Sequence, residues 1–317
     1  MTQIDKSRFE WIGSDSARRE GISRPSTTFW KDAIGRLMKN KVAVVCFFII
    51  VLLILSCIIV PFFSPFESRE QHLGEVNKGF MTVCTDSRYE GQHHVHYFGT
   101  DNLGRDLFLR AFEGGRVSLM IAFAAVFVNL IVGLIYGGIS GYIGGAVDTI
   151  MMRIVEIVNG IPYLIVVILL MMVLPKGIFT MVVAYGITGW TGMARLVRGQ
   201  VLQLKSQEYI VAAEAMGAKS SRIIAKHLIP NALSVIIINV TLAIPSAIFT
   251  EAFLSYIGLG VSVPQPSWGV LAKGGQDVFM TYPYQLVVPA VAISLTMLSF
   301  NLLGDGLRDA FDPRLRR

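Results

Sequence analysis

Three histidines within four positions, His93, His94 and His96, are the densest group in the sequence able to ligate a transition metal, because neutral imidazole is a common ligand. They precede Phe98-Gly-Thr-Asp-Asn-Leu-Gly-Arg-Asp106 in a polar stretch and read as loop histidines, with no metal assigned. Glu251 is the second candidate. Flanked by Phe249, Ala252 and Phe253 in an apolar run, its carboxylate is costly unless it meets water or a partner. It either lines a polar path or makes a structural hydrogen bond, and both readings stay open. Cys46 and Cys57 lie in one apolar run and Cys84 stands alone after it, which gives neither a disulfide framework nor a metal-type spacing. The phosphate-binding pattern G-x-x-x-x-G-K-[ST] occurs nowhere, and the glycine-rich stretch from Gly133 to Gly145 has no lysine after it. Nucleophile and base pairs are missing as well, so the sequence assigns no reaction to this chain.

The elements that carry these groups are membrane helices. At 53% hydrophobic and 16% charged residues, the chain is too apolar to cover its own surface in water. This excludes a cytosolic enzyme, a disordered chain and a disulfide-stapled secreted module. Charge-free stretches at 42–60, 117–147, 157–175, 177–194, 228–250 and 278–304 can each supply the roughly 20 residues that cross about 30 Å of hydrocarbon. They predict an all-α polytopic membrane protein with six transmembrane helices. The first run follows 41 basic and polar residues without a signal-peptide pattern, which predicts an anchor helix kept in the mature chain.

Six crossings put both termini on one side. Of the 28 lysines and arginines, twenty fall on that side, in 1–41, at Arg153, in 195–226 and in the tail. The remaining eight lie in 61–116 and at Lys176 and Lys273. The positive-inside rule then makes the termini cytoplasmic. The predicted organisation is a cytoplasmic segment 1–41, a first helix 42–60 and an extracellular loop 61–116. A five-helix core 117–304 follows, with a cytoplasmic segment 195–230, and then a cytoplasmic tail 305–317. The net charge of +6 is thereby a topology signal and not a nucleic-acid one.

The cytoplasmic segment holds the most informative residues, Glu208-Tyr-Ile-Val-Ala-Ala-Glu-Ala-Met-Gly217 and onward to Pro230-Asn231. Ala212, Ala213 and Ala215 leave one face of a helix shallow, and Gly217 can end that helix in a left-handed cap. A second helix from about Ser220 should reach Pro230, whose missing N–H interrupts the ladder. Two readings stay open, an amphipathic juxtamembrane hairpin and a helix that docks in a partner's cleft. Elsewhere, Gly133, Gly137, Gly141 and Gly145 recur every four residues and predict a smooth strip for close helix packing, compatible with sliding between two states. The stretch Gly99 to Asp106 reads as a turn that is either structural or a partner contact. Arg308 among Asp305, Asp309 and Asp312 predicts a tail clasp of ion pairs.

These residues also carry a resemblance. Ala212-Ala213, three residues, Gly217, nine residues and His227-Leu-Ile-Pro230 resemble the EAA motif of membrane subunits of binding-protein-dependent ABC importers. Val211 stands where that motif usually has its first Glu, and His227 and Ile229 replace its terminal Ile and Leu. Phe98 to Asp106, Ala194-Arg-Leu-Val-Arg-Gly199, Leu254-Ser-Tyr-Ile-Gly-Leu-Gly260, Pro266-Ser-Trp-Gly269 and Gly304 to Pro313 narrow the likeness. Together they resemble the C-type permease subunit of oligopeptide, dipeptide and nickel importers, most of all the oligopeptide permease C of Gram-positive bacteria, from about Trp30 to the C-terminus.

The resemblance implies a type I ABC importer permease fold and a division of labour. A B-type permease would complete the path, an extracellular binding lipoprotein would deliver peptide, and two cytoplasmic ATPases would carry ATP and Mg, with no cofactor on this chain. Glu208, Tyr209, Ala212, Ala213, Glu214, Gly217, Ala218 and Pro230 become the coupling residues, and Glu251 a pathway residue able to attract a peptide's amine. Alternatives are a dipeptide or nickel permease of the same family, a stand-alone secondary transporter and a membrane enzyme. Secondary transporters often carry repeats and several intramembrane ionisable groups; this chain has one clear acidic candidate and no obvious repeat.

Overall fold

The computed structural model describes residues 29–85 and 94–312. Helices α1 (Phe29–Lys39) and α2 (Lys41–Phe63) are joined at Asn40, whose side chain caps α2 by accepting from the Ala43 amide at 3.2 Å. An irregular segment follows, with a 3-10 turn at Leu73–Glu75 and the two-residue strands β1 (Thr82–Val83) and β2 (Val95–His96), paired antiparallel. The helical core comprises α3 (Leu107–Ile143), α4 (Gly145–Gly160), α5 (Tyr163–Val173), α6 (Ile178–Thr188), α7 (Trp190–Lys205), α8 (Glu208–Ala215), α9 (Ser220–Ile223), α10 (Ile229–Tyr256), α11 (Trp268–Asp277) and α12 (Tyr284–Phe311).

Among the described residues, four helical stretches are long and apolar enough to cross a membrane: Lys41–Phe63, Leu107–Ile143, Ser220–Tyr256 and Tyr284–Phe311. Counting the bent pair α4 and α5 as one span makes five, so the six-helix expectation is not met by length. The stretch 157–175 breaks at Ile161-Pro162, where proline lacks an N–H and constrains its predecessor, and the axes of α4 and α5 turn by 78°. The stretch 177–194 begins α6 but passes through Gly189 into α7, which runs on to Lys205. Charge-free runs also misplaced both ends of α3 and the end of α12. Helix α3 starts at Leu107, not Val117, because the Asp106 side chain caps it (Leu109 N, 2.7 Å) and Arg110 is buried with its Nη1 donating to Ser68 O at 2.7 Å. It ends at Ile143, because Gly144 takes a positive φ of 72° that side chains disfavour. Helix α12 runs past Gly304 to Phe311.

The glycine strip does what its spacing predicts, with one exception. Gly133, Gly137 and Gly141 face α7, where an added Cβ would fall 2.6 Å from Met193 Cβ, 2.3 Å from Ala194 O and 2.9 Å from Arg198 O. Gly145 lies beyond the break with open space around it and is not part of the strip. Trp268 is the other fixed point, almost wholly buried, donating from Nε1 to Ala111 O at 2.9 Å and from its amide to Ser118 Oγ at 3.2 Å.

The two ends of the bundle are distinct. At one end Trp30, Gln200, Pro230, Asn231, Arg308 and Phe311 line a common groove, with Trp30 edge-on to Phe311 at 5.7 Å and Arg36 donating to Asp312 O at 3.1 Å. The clasp on α12 therefore comes mainly from α1; within the tail, Arg308 and Asp305 are 3.8 Å apart and both exposed. At the other end, Tyr284 donates to Lys78 O and Thr100 O, Gln285 donates to Asn77 Oδ1, and Lys176 donates to Gly258 O.

Candidate functional site: the 195–230 coupling segment

Helix α8 is held by few residues and shows most of its surface. Ile210 is buried in one cluster with Ile223 and Leu228, and Ala213 is buried too, while Glu208, Tyr209, Val211, Ala212, Ala215 and Met216 are exposed. Ala213 therefore anchors the helix and does not belong to its outer face. The helix ends as its glycine predicts: Gly217 has φ 79°, its amide donates to Glu214 O at 2.9 Å, and the Ala218 amide donates to Ala213 O at 3.1 Å. These are the two bonds of a Schellman cap. Among the described residues, no atom beyond its chain neighbours lies within 4 Å of a Cβ built on Gly217. Ala218 is half-buried and Pro230 is exposed.

Pro230 does not interrupt the helix as expected. A π turn at Ile224–Leu228 absorbs it, and Ser220–Tyr256 runs as one apolar helical stretch. A π turn shifts the bonding register by one residue, and Asn231 Nδ2 donates to His227 O at 2.6 Å near the point where proline has no N–H. The continuous helix therefore begins at Ser220, after the Gly217 cap that separates it from α8.

Side-chain contacts that the sequence did not single out hold this segment to the end of α3 and to α4. Lys205 donates to Tyr142 O at 2.6 Å and lies over the Tyr142 ring, 5.1 Å from its centroid. The Tyr142 hydroxyl donates to Glu214 Oε1 at 3.0 Å. About two helical turns before the end of α7, Arg198 grips Asp148 of α4 with Nε and Nη2 on the two carboxylate oxygens, both at 2.5 Å. Asp148 follows the Gly144-Gly145 break, and nothing in its spacing to Arg198 marked the pair.

Glu251 is enclosed. It is 2% exposed in α10, accepts from Ser255 Oγ at 2.7 Å and has Ser118 and Ser267 beside the same carboxyl. Within this chain it makes a structural hydrogen bond, one of its two readings. The Gly99–Asp106 turn is also structural. Asp101 accepts from the Leu103 and Arg105 amides and from Arg105 Nε, at 2.8, 3.0 and 2.7 Å, and Thr100 O receives Tyr284 and Gln285. His93 lies outside the described residues. His96, read as a loop histidine, is fully buried between Glu75 and Asp106.

A family profile described as "Binding-protein-dependent transport system inner membrane component" matches residues 129–317, more than half of the chain and all of 195–230. The chain belongs to this family. A second profile, "N-terminal TM domain of oligopeptide transport permease C", matches residues 28–79, so the membership covers α1 and α2 as well. Among similar curated proteins, the oligopeptide transport system permease protein OppC of Bacillus subtilis is 48% identical over 317 residues, covering all of both chains. The dipeptide transport system permease protein DppC of the same organism is 48% identical over 299 residues, 94% of this chain and 90% of its own. The OppC protein of Escherichia coli K12 is 42% identical over 313 residues, 99% of each. An inward-facing structure of the MetNI methionine ABC transporter shares the fold at TM-score 0.51 and 20% identity, over 63% of this chain and 94% of that one. The chain is thus the membrane component of a binding-protein-dependent importer, with the ABC importer permease fold.

Proposed function

We propose that this chain is the C-type permease of an oligopeptide importer. It pairs with a B-type permease to form the path, receives peptide from an extracellular binding lipoprotein, and is driven by two ATPases that hold ATP and Mg. The observation that carries the reading is the match along the entire chain to an oligopeptide permease; the dipeptide permease, equally identical but over less of both chains, is the runner-up. The exposed face of α8, its Schellman cap at Gly217 and the open space around that glycine support docking into an ATPase groove. Closure of the ATPases would tilt α8 and drive α7 and α10 between two packings. The termini and α8 face the cytoplasm and residues 61–106 face outward, supported by the groove shared by α1, α10 and α12 at one end and by the lysine and arginine excess there.

The test is purification through a tag on this chain, followed by reconstitution. ATPases and a second permease should co-purify, and import of labelled oligopeptides into proteoliposomes should require ATP and the binding protein. Uptake by this chain alone, driven by an ion gradient, would replace the importer reading with a secondary transporter. Faster uptake of dipeptides or nickel than of oligopeptides would reassign the substrate.

A further inference from the structure

Four separate pieces of chain converge on His96. Glu75 closes the 3-10 turn, Cys84 follows β1, His96 lies in β2 and Asp106 caps α3. All four are buried, at 2, 8, 0 and 3% exposure. Glu75 Oε2 is 3.2 Å from Cys84 Sγ and 3.1 Å from His96 Nε2, and one donor atom from each of these three residues falls within 4.8 Å of the others. A tetrahedral zinc ion with bonds of about 2.0–2.3 Å has ligand-to-ligand edges of about 3.3–3.7 Å. The group would need only slight adjustment to surround one.

The surroundings select these atoms. Glu75 Oε1 is occupied by the Thr85 amide and by Thr85 Oγ1 at 3.0 Å, which leaves Oε2 as a single aimed oxygen. His96 Nδ1 lies 2.7 Å from Asp106 Oδ2, and a proton held there presents an unprotonated Nε2. That lone pair faces the lone pairs of Glu75 Oε2, a contact favourable only when a proton or a cation lies between. Carboxylate behind imidazole is the arrangement that orients metal-bound histidine. Phe66 stacks on the His96 ring, centroids 4.4 Å apart and 21° from parallel, and holds its plane.

We propose that Glu75 Oε2, Cys84 Sγ and His96 Nε2 ligate a zinc-class divalent ion, with Asp106 orienting the imidazole and a fourth position open to water. Binding releases to solvent the Cys84 thiol proton and the proton between His96 Nε2 and Glu75 Oε2, and leaves the Nδ1 proton on the imidazole, donated to Asp106. The ion staples the segment between α2 and α3, whose Lys78 and Thr100 carbonyls seat Tyr284 of α12. Sulfur, nitrogen and oxygen donors in one small set suit zinc rather than magnesium or calcium.

The test uses the intact transporter, stripped with a chelator and reloaded with Zn2+ alone, with zinc counted by mass spectrometry. One zinc per permease should be bound beyond the content of a Cys84→Ser variant. The histidine pair variant His93→Gln/His94→Gln should keep it, and Asp106→Asn should bind about 10–100-fold more weakly. Loading wild-type protein with Co2+ gives a readout that needs no variant: a thiolate-to-cobalt charge-transfer band. Absence of that band, or equal zinc in wild type and Cys84→Ser, overturns the proposal and leaves a proton-bridged network. Loss of zinc only in the histidine pair variant overturns it too, since the metal would then sit on the neighbouring loop.

Discussion

Arg198 and Asp148, fifty positions apart, meet in a two-pronged ion pair that ties the root of the coupling segment to α4. The Arg198 side chain is 33% exposed and Asp148 12%, and Ser140 donates to the same carboxylate. Asp148→Ala should destabilise the permease by about 2 kcal/mol, the scale of hydrogen bonds to charged groups. Arg198→Lys should lose part of this, because an ammonium cannot match both oxygens. Thermal unfolding of the detergent-solubilised protein measures both.

Gly137 and Gly145 separate packing from spacing. Gly137→Ala places a methyl against Ala194 O and should cost at least about 1–3 kcal/mol through overpacking. Gly145→Ala meets open space at φ 57° and should cost only the backbone term of about 1 kcal/mol. Equal effects on the yield of assembled transporter would remove the close α3–α7 approach as the reason for the strip.

Gly217→Asp should insert and fold with a loss of about 1 kcal/mol, since this chain leaves space for the side chain and only φ is unfavourable. Import should nevertheless fall severalfold while ATP hydrolysis continues, if a partner fills that space. Import at the wild-type rate in proteoliposomes means that no partner packs there.

Glu251→Gln should transport nearly normally, because an amide oxygen can still accept from Ser255. Glu251→Leu should destabilise by about 1–3 kcal/mol by leaving buried hydroxyls without their partner. Uptake of free and amine-blocked peptides decides between the two roles: a loss in Glu251→Gln confined to free-amine peptides would restore the carboxylate as a pathway group.

Cysteines placed at Ser206 and Met280, both exposed, should react with an impermeant maleimide from opposite faces, Ser206 from the cytoplasm. Labelling of both from one face contradicts the proposed orientation.

Much of this molecule was legible because membrane insertion is written in one dimension. Long apolar runs predicted a helical membrane protein, though not the number of its spans. Gly217 announced its cap because few other residues tolerate that φ, and the four-residue glycine spacing announced a close helix contact. What the sequence could not settle depended on atoms far apart in the chain. Arg110 could enter a helix because Ser68 and Asp101 surround it, so counting charges misplaced the start of α3. Pro230 could be crossed because a π turn shifts the hydrogen-bond register, which residue types alone do not specify. Cys84 stood alone in sequence, and only the folding of residues 61–106 brought it to Glu75 and His96. Hydrophobicity and backbone preference are local and can be read along the chain. Burial of a charge or a ligand cluster requires partners that only the tertiary structure supplies.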